Sequence, residues 1–241
     1  MVSAPAEWLF RTDGEFSHVV TVNAEIFVMA HENPRLQNLL TTTLNTIDGR
    51  VLRFICMLLY PRERITLLKG SDFIYDLASW CQRTQEKLFL LGSSANSNAE
   101  AVVKLRSCYP GLQVDGFGPP LVESPFQESC RKAILQRIQV HRPHHLIVCF
   151  GPPKQEFWIN ENSAELTACG VKRAYGLGGT IDFVSGFRRR APRWLDVIGG
   201  EWLFRWLCEP RVRFHRTLIQ FKMPIYAAKT VREMIALPNA R

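Results

Sequence analysis

The sequence predicts an α/β fold in which a mostly parallel sheet carries helices on both faces. Strand-like and helix-like segments alternate between residues 18 and 176, a pattern typical of parallel sheets. The run 146–150 is continuously apolar, as expected for a central strand buried on both sides. Gly92 and Gly151 follow two of the predicted strands and mark their ends.

Each predicted element rests on a local pattern. Short apolar runs predict strands, and longer periodic segments behind a capping residue or proline predict helices, as where Ser124 and Pro125 precede a helix. In chain order we expect strand 18–22, helices 24–31 and 34–44, a turn at 47–49, helix 51–60, strands 64–68 and 87–91, helix 95–108, strand 112–116, helix 126–141, strand 144–150, helix 152–168 and strand 171–175. Beyond Pro192 we expect only helices, at 194–198, 201–208 and 211–235, the last bent at Pro224.

The net positive charge of the chain comes from its C-terminal part. The 241 residues hold 30 Lys and Arg against 22 Asp and Glu, a net charge of +8. Residues 188–241 hold 12 basic and 4 acidic residues, which accounts for the whole excess. We therefore predict a body over 1–192 and a basic, aromatic, helical appendage over 193–241. Such a segment suits an anionic membrane surface or nucleic acid, and the alternative is a solvated helix that packs its aromatic residues on the body.

Composition excludes several classes of protein. With 46% hydrophobic and 22% charged residues, the chain is neither disordered nor collagen-like. No apolar run approaches the roughly 20 residues of a membrane-spanning helix, and no secretory signal pattern opens the chain. The 7 cysteines are scattered without a CxxC spacing, which predicts reduced thiols and neither disulfides nor a zinc site. We expect a cytoplasmic protein.

Ligands of parallel sheets bind outside the carboxyl ends of the strands, so the residues that follow each strand are candidates. Gly92 and Ser93 open a turn whose N–H groups suit a phosphate or ribose, although such turns also favour glycine and serine for capping. Gln155 lies in an unusual Lys-Gln-Glu run after a strand, with a solvated first helical turn as the alternative. In the segment 176–182, Gly178 and Gly179 permit close approach of a ligand. Asp182 could accept from a ribose or sugar hydroxyl.

A candidate general base is Asp48, in a turn between apolar segments. Thr21 and Asn23 end the first strand and could supply hydroxyl and amide partners. From the residues alone, an ordinary Asp-Gly turn is the stronger reading. His144 and His145 lie at the start of a predicted strand, the other histidines are isolated, and no paired spacing of histidines and carboxylates repeats, so we expect no metal held by protein ligands. Neither a GxSxG elbow nor a P-loop is present.

Taken together, these residues resemble the WecG/TagA/CpsF family of bacterial glycosyltransferases. The resemblance runs from about Val19 to Arg216 in family order. Its motifs are Thr21 and Asn23, Asp48-Gly49, Gly70-Ser71-Asp72, Pro153-Lys154-Gln155-Glu156, the glycine-rich segment 176–182, Arg190-Ala191-Pro192, and Glu201-Trp202 with Arg205, Glu209 and Pro210.

The resemblance implies transfer of a sugar, of the N-acetylmannosamine type in the best-known members, from UDP to a sugar linked by diphosphate to undecaprenol. It also implies a Rossmann-like body, inversion at the anomeric carbon, and no metal or other cofactor. The basic appendage would attach the enzyme to the anionic inner face of the cell membrane and complete the active site. Self-association into a homo-oligomer is a further expectation.

The family pattern assigns roles to residues of this chain. Asp48 matches the proposed base, and Thr21 and Asn23 would orient the acceptor or the donor sugar. Arg205, with Arg211 behind it, would stabilise the departing diphosphate, because the planar guanidinium binds two phosphate oxygens. Gln155 would hold the donor, and the turns containing Gly92, Ser93, Gly178, Gly179 and Asp182 would line the nucleotide pocket. The alternative for Arg205 is an i,i+4 pair with Glu201 on a helix that packs on the body.

Three departures from the family pattern bear on these roles, the first being that only 17 residues precede His18, where family members usually have a further strand and helix. Val51 stands where a second glycine is common, and Val212 stands where the family has an arginine. None of these motif residues indicates which sugar the donor carries, so UDP-glucuronate and UDP-glucose are alternative donors. A non-catalytic membrane-docking partner in polysaccharide assembly is the rival from another class. No nucleic-acid motif is present, and we expect no nucleic-acid partner.

Overall fold

A computed structural model of the chain describes residues 4–59, 70–120, 127–188 and 222–236, together with residues 204 and 207. Within these residues, six strands form one sheet in the order β2-β1-β6-β5-β3-β4, and every neighbouring pair is parallel. The strands are β1 (Ser17–Val22), β2 (Leu44–Ile47), β3 (Leu88–Gly92), β4 (Val114–Phe117), β5 (His145–Cys149) and β6 (Arg173–Gly176). The predicted Rossmann-like α/β fold is confirmed.

Helices cover both faces of the sheet. A 3₁₀ helix at Ala4–Leu9 precedes α1 (Ala24–Glu32), α2 (Pro34–Thr41), α3 (Arg50–Leu59), α4 (Gly70–Thr84), α5 (Ala95–Cys108), α6 (Glu128–His141), α7 (Lys154–Glu161), α8 (Ser163–Ala168), α9 (Thr180–Ser185) and α10 (Met223–Ala236). Residues of α4, α5 and α9 share one apolar cluster with Ile147 of β5. Residues of α6, α7 and α8 share another with Leu146 and Val148. The apolar run of β5 is therefore buried from both sides, as its sequence predicts.

The connections after β3 and β5 leave the sheet in opposite directions. From β3 the chain continues through α5 to β4 on one side, and from β5 it continues through α7 and α8 to β6 on the other. Since parallel crossovers are right-handed, α5 and α7 lie on opposite faces. A crevice between the carboxyl ends of β3 and β5 is where such sheets bind ligands.

Several predicted elements differ in the structure. The helix predicted over 34–44 ends at Thr41, and Leu44–Ile47 forms the edge strand β2, because pairing with β1 outweighs local helical preference. The helix α4 was not predicted. The predicted helix 152–168 is two helices that meet at Asn162, whose side-chain amide donates to the Trp158 carbonyl at 2.7 Å and competes with the helical ladder.

The C-terminal helix α10 packs on α1. The Nε2 atom of His31 lies 3.1 Å from Oγ1 of Thr230, and Glu32 accepts from Lys222 at 2.7 Å and from Tyr226 at 2.9 Å. Pro224 lies in the first turn of α10, where its missing N–H costs no helical hydrogen bond. The predicted strand 64–68, helix 194–198 and the segment 211–221 lie outside the described residues, as do most residues of 201–208. No helix in the described ranges is both long and apolar enough to cross a bilayer.

Candidate active site at the carboxyl edge of the sheet

The carboxyl edge of the sheet gathers the predicted site residues of the body into one row. Because the strands are parallel, the turns that follow them lie along the same edge. In spatial order, Asp48 follows β2, Asn23 follows β1, Gly178 follows β6, Gln155 follows β5 at the start of α7, and Ser93 follows β3. At about 4.8 Å per strand, the row is about 19 Å long.

At the crevice end of the row, Gly92 and Cys149 meet in register at the tips of β3 and β5. Gly92 has φ +111°, and a Cβ there would lie 2.7 Å from the Cys149 carbonyl oxygen. Only glycine fits both the left-handed backbone and the close approach. The turn that follows therefore begins in the crevice itself.

Asp182 fastens the β3 turn to α9. Its Oδ1 accepts from the Ser93 hydroxyl and, at 2.9 Å, from the Ser97 hydroxyl, while its Oδ2 lies 3.3 Å from Nε of Arg188. The sequence suggests a contact between Asp182 and a ribose. In the structure, both carboxylate oxygens of Asp182 already have partners within the protein. Asp182 and Ser93 are thus joined at the turn that follows β3. Arg188 was not among the predicted site residues.

A buried amide supports the same turn from behind. The Nδ2 group of Asn98, on α5, donates to the Leu90 carbonyl at 3.0 Å and to the Gly92 carbonyl at 2.9 Å. These bonds hold the last residues of β3. Sequence analysis missed Asn98, and a polar residue on the buried face of a helix is the signal that could have revealed it.

Gln155 ties the β5 turn to the β6 turn. Its Oε1 accepts from the N–H of Gly151 at 3.2 Å and from the N–H of Gly178 at 3.0 Å. Its Nε2 donates to Oε1 of Glu156 at 2.7 Å, and the side chain is buried. In this structure, the side chain of Gln155, the predicted donor-holding residue, fixes the backbone of these two turns.

Glu156 is the most unusual ionisable group of the edge. Its side chain is fully buried, and its Oε2 atom has no hydrogen-bond partner within the described part of the chain. Burial raises the pKa of Glu156 to about 7, although the hydrogen bond from Gln155 opposes the rise. A Cβ at Gly176 would lie 2.8 Å from Gln155 Nε2 and 2.9 Å from Glu156 Oε1, so both side chains pack closely against β6 at Gly176.

Thr21 and Asn23 bond to the backbone. The Thr21 hydroxyl donates to the Gly176 carbonyl at 2.8 Å and joins β1 to β6. The Asn23 side chain accepts from the Ile26 N–H at 2.9 Å and caps α1. Both residues lie at the predicted edge and fix its shape.

Asp48 lies at the other end of the row, on the rim. Its N–H donates to the Val22 carbonyl at 2.8 Å, which extends the pairing of β2 with β1. Gly49 follows with φ +108°, and α3 begins at Arg50. The Asp48 side chain is half-buried, so it remains accessible from the edge.

Arg205 and Arg211 lie outside the described residues, so their roles remain predictions. The described ranges contain no group of three or more His, Cys, Asp or Glu side chains placed to hold a metal ion.

Comparison with known proteins identifies the family. The family model described as "Glycosyl transferase WecG/TagA/CpsF family" matches residues 2–239. A relative from Bacillus spizizenii (strain W23) is 26% identical over 211 residues, which cover 88% of this chain and 77% of the relative. That relative is an N-acetylglucosaminyldiphosphoundecaprenol N-acetyl-β-D-mannosaminyltransferase. The chain belongs to the WecG/TagA/CpsF family and is a glycosyltransferase.

Proposed function

We propose that the protein transfers a sugar of the N-acetylmannosamine type from UDP to a sugar linked by diphosphate to undecaprenol, in synthesis of a cell-surface polysaccharide. The name of the Bacillus relative supports the acceptor and the transferred sugar. The observation that carries the proposal is the row of residues at the strand ends, from Ser93 to Asp48. This row provides one continuous edge along which a donor made of a nucleotide and a sugar could bind.

The nucleotide would lie at the crevice end of this row. The backbone there is free of side chains at Gly92, Gly178 and Gly179. The adjoining turn is fixed by the hydrogen bond from Ser93 to Asp182. With the nucleotide at the switch point, we assign the donor sugar to the side of β1 and β2, the end at which Asp48 lies.

The reaction is a displacement at the anomeric carbon. Asp48 would take the proton of the acceptor hydroxyl as its oxygen bonds to that carbon. The bond from the carbon to the UDP oxygen breaks on the opposite side, UDP leaves with the electron pair, and the configuration inverts. We assign stabilisation of the leaving diphosphate to Arg205, supported by Arg211, so that no metal is needed.

The acceptor lipid requires the enzyme to work at a membrane. We propose peripheral binding at the inner face, with the basic residues of 193–241 against anionic lipids. In the structure, α10, which is part of this segment, lies against α1 of the body.

A donor panel tests the proposed function. Purified protein with EDTA receives UDP-N-acetylmannosamine, UDP-glucuronate or UDP-glucose and a short-chain polyprenyl-diphosphate N-acetylglucosamine. We expect UDP release and a lipid-linked disaccharide with UDP-N-acetylmannosamine. Product from another donor alone would reassign the sugar, and product only with added divalent metal would overturn the metal-free reaction.

A further inference from the structure

Helix α3 presents apolar side chains to solvent. Phe54 is 63% exposed and Met57 is 48% exposed, and their i,i+3 spacing places them on one face of the helix. Leu52, with 2% exposure, points into the protein. The helix thus packs through one side and leaves two large apolar residues side by side on the other.

The composition of α3 matches its exposed face. Its ten residues comprise eight apolar residues and two arginines, with no acidic residue. Of the arginines, Arg53 is exposed beside Phe54. An exposed apolar pair bordered by a cation suits the boundary between headgroups and acyl chains of an anionic bilayer.

The position of α3 connects this face to the proposed chemistry. The helix begins two residues after Asp48, and Phe54 lies about 6 Å along its axis from Arg50. In the proposed acceptor, only a sugar and a diphosphate separate the reacting hydroxyl from the lipid chain. An acceptor whose lipid stays in the bilayer can reach Asp48 only if the membrane surface lies close to this end of the edge.

We propose that α3 is a membrane-docking surface that holds Asp48 over the bilayer, with Phe54 and Met57 inserted at the lipid interface and Arg53 against anionic headgroups. This inference rests on the proposed function, because the lipid-linked acceptor is what places a membrane beside Asp48. It adds a second contact to the one proposed for the basic C-terminal segment.

The chain supplies matched controls. Val103 on α5 and Val140 on α6 are also exposed, at 59% and 81%, but they lie on separate helices. Single exposed apolar residues of this kind are ordinary. Val140 lies near the end of α6 that leads into β5, so it is at the opposite edge of the sheet from Asp48.

The test compares full-length proteins in vesicle co-sedimentation, with vesicles of phosphatidylglycerol and phosphatidylethanolamine and with vesicles of phosphatidylcholine alone. We expect the double variant Phe54→Ser, Met57→Ser to bind the anionic vesicles at least about tenfold more weakly than wild type. The double variant Val103→Ser, Val140→Ser should bind within about twofold of wild type. Thermal melting checks that all proteins are folded, and Phe54→Leu, Met57→Leu should retain binding.

Transfer assays on the same proteins separate this inference from the proposed function. The serine variant should lose transfer to a long-chain acceptor in vesicles and keep transfer to a short-chain, water-soluble acceptor. Unchanged vesicle binding by the folded serine variant would overturn the inference. It would also be overturned if the serine variant bound vesicles normally but changed its oligomeric state in the absence of lipid, because α3 would then be a contact between copies of the chain. Absence of transfer by the wild type to either acceptor would count against the proposed function, while the vesicle result would still decide the role of α3.

Discussion

At the scale of single residues, the candidate site is organised by side chains that bond to backbone. Gln155 bridges two turns, Thr21 bridges two strands, and Asp182 links the β3 turn to α9. The positions of these residues could be found from sequence because they lie at or after the ends of predicted strands, where parallel sheets bind ligands. The hydrogen-bond partners of these side chains could not be found from sequence. Gly151 and Gly178, for example, are 27 residues apart, and only the pairing of the strands brings both to the Gln155 side chain.

The buried carboxyl of Glu156 predicts a pH-dependent stability. Because burial raises the pKa of Glu156 to about 7, the folded protein retains a proton that the unfolded chain releases near pH 4.5. The free energy of unfolding therefore falls as pH rises from about 4.5 to about 7. The free energy of unfolding of Glu156→Gln, relative to that of the wild type, should therefore rise by roughly 2–3 kcal/mol between pH 5 and pH 8.

Urea unfolding at both pH values measures this difference. Glu100→Gln, at an exposed position on α5, is the control and should follow the wild type. If the wild type and Glu156→Gln show parallel pH dependence, the buried acid does not titrate in this range.

The close approach at Gly92 predicts a large cost for one methyl group. Gly92→Ala combines a left-handed backbone with a contact of 2.7 Å to the Cys149 carbonyl. Gly111→Ala is the matched control, because Gly111 has φ +84° and no atom within 4 Å of its Cβ position. We expect Gly92→Ala to lose at least about 2 kcal/mol more stability than Gly111→Ala in denaturant unfolding. Equal losses would mean that the backbone conformation alone requires glycine.

At the scale of elements, the sequence predicts the centre of the sheet better than its margins. The helix α5 has its predicted bounds, and β3 and β5 agree within about two residues, because buried apolar runs and capped helices carry strong local patterns. The strand β2 was missed because it has only four residues and forms through pairing with β1. The single helix predicted after β5 is divided at Asn162, whose side-chain amide donates to the Trp158 carbonyl.

A partly buried hydrogen-bond network joins the elements at the opposite edge of the sheet. Glu86 accepts from His145 at 3.0 Å, from Trp80 at 2.7 Å and from Thr12. The Tyr175 hydroxyl lies 3.0 Å from the other ring nitrogen of His145 and donates to the Leu9 carbonyl at 2.9 Å. This network fastens the N-terminal residues and α4 to β5 and β6.

The network predicts a stability contribution that acid removes. Burial alone would raise the pKa of Glu86, but its hydrogen bonds, chiefly from His145, lower it to about 2. A lowered carboxyl pKa stabilises the fold above about pH 4.5, and this contribution is lost as pH falls toward 2. Glu86→Gln should therefore cost about 1–3 kcal/mol at pH 7 and clearly less at pH 3, measured by urea unfolding. An equal cost at both pH values would contradict an ionised Glu86 in the fold.

At the scale of the whole molecule, the part of the chain without a net charge holds most of the candidate site, and the excess positive charge lies near the C-terminus. Residues 1–187 have no net charge, and 188–241 carry all of the +8. The sequence alone could locate this division, since charge is additive along the chain. It could not reveal that α10 lies on α1, because that contact joins Glu32 to Lys222 across most of the chain. The boundary at residue 192 remains a prediction.

The central claim is that sugar transfer takes place at the carboxyl edge, with Asp48 as the base. The most direct measurement compares kcat and the Kd for the UDP-sugar in wild type, Asp48→Asn and Asp13→Asn, the last an exposed residue before β1 at the opposite edge. We predict that Asp48→Asn lowers kcat by about 10²–10⁴-fold and leaves the Kd within about threefold, because only proton transfer is lost. Asp13→Asn should match the wild type. A kcat of Asp48→Asn within about threefold of wild type would contradict the account.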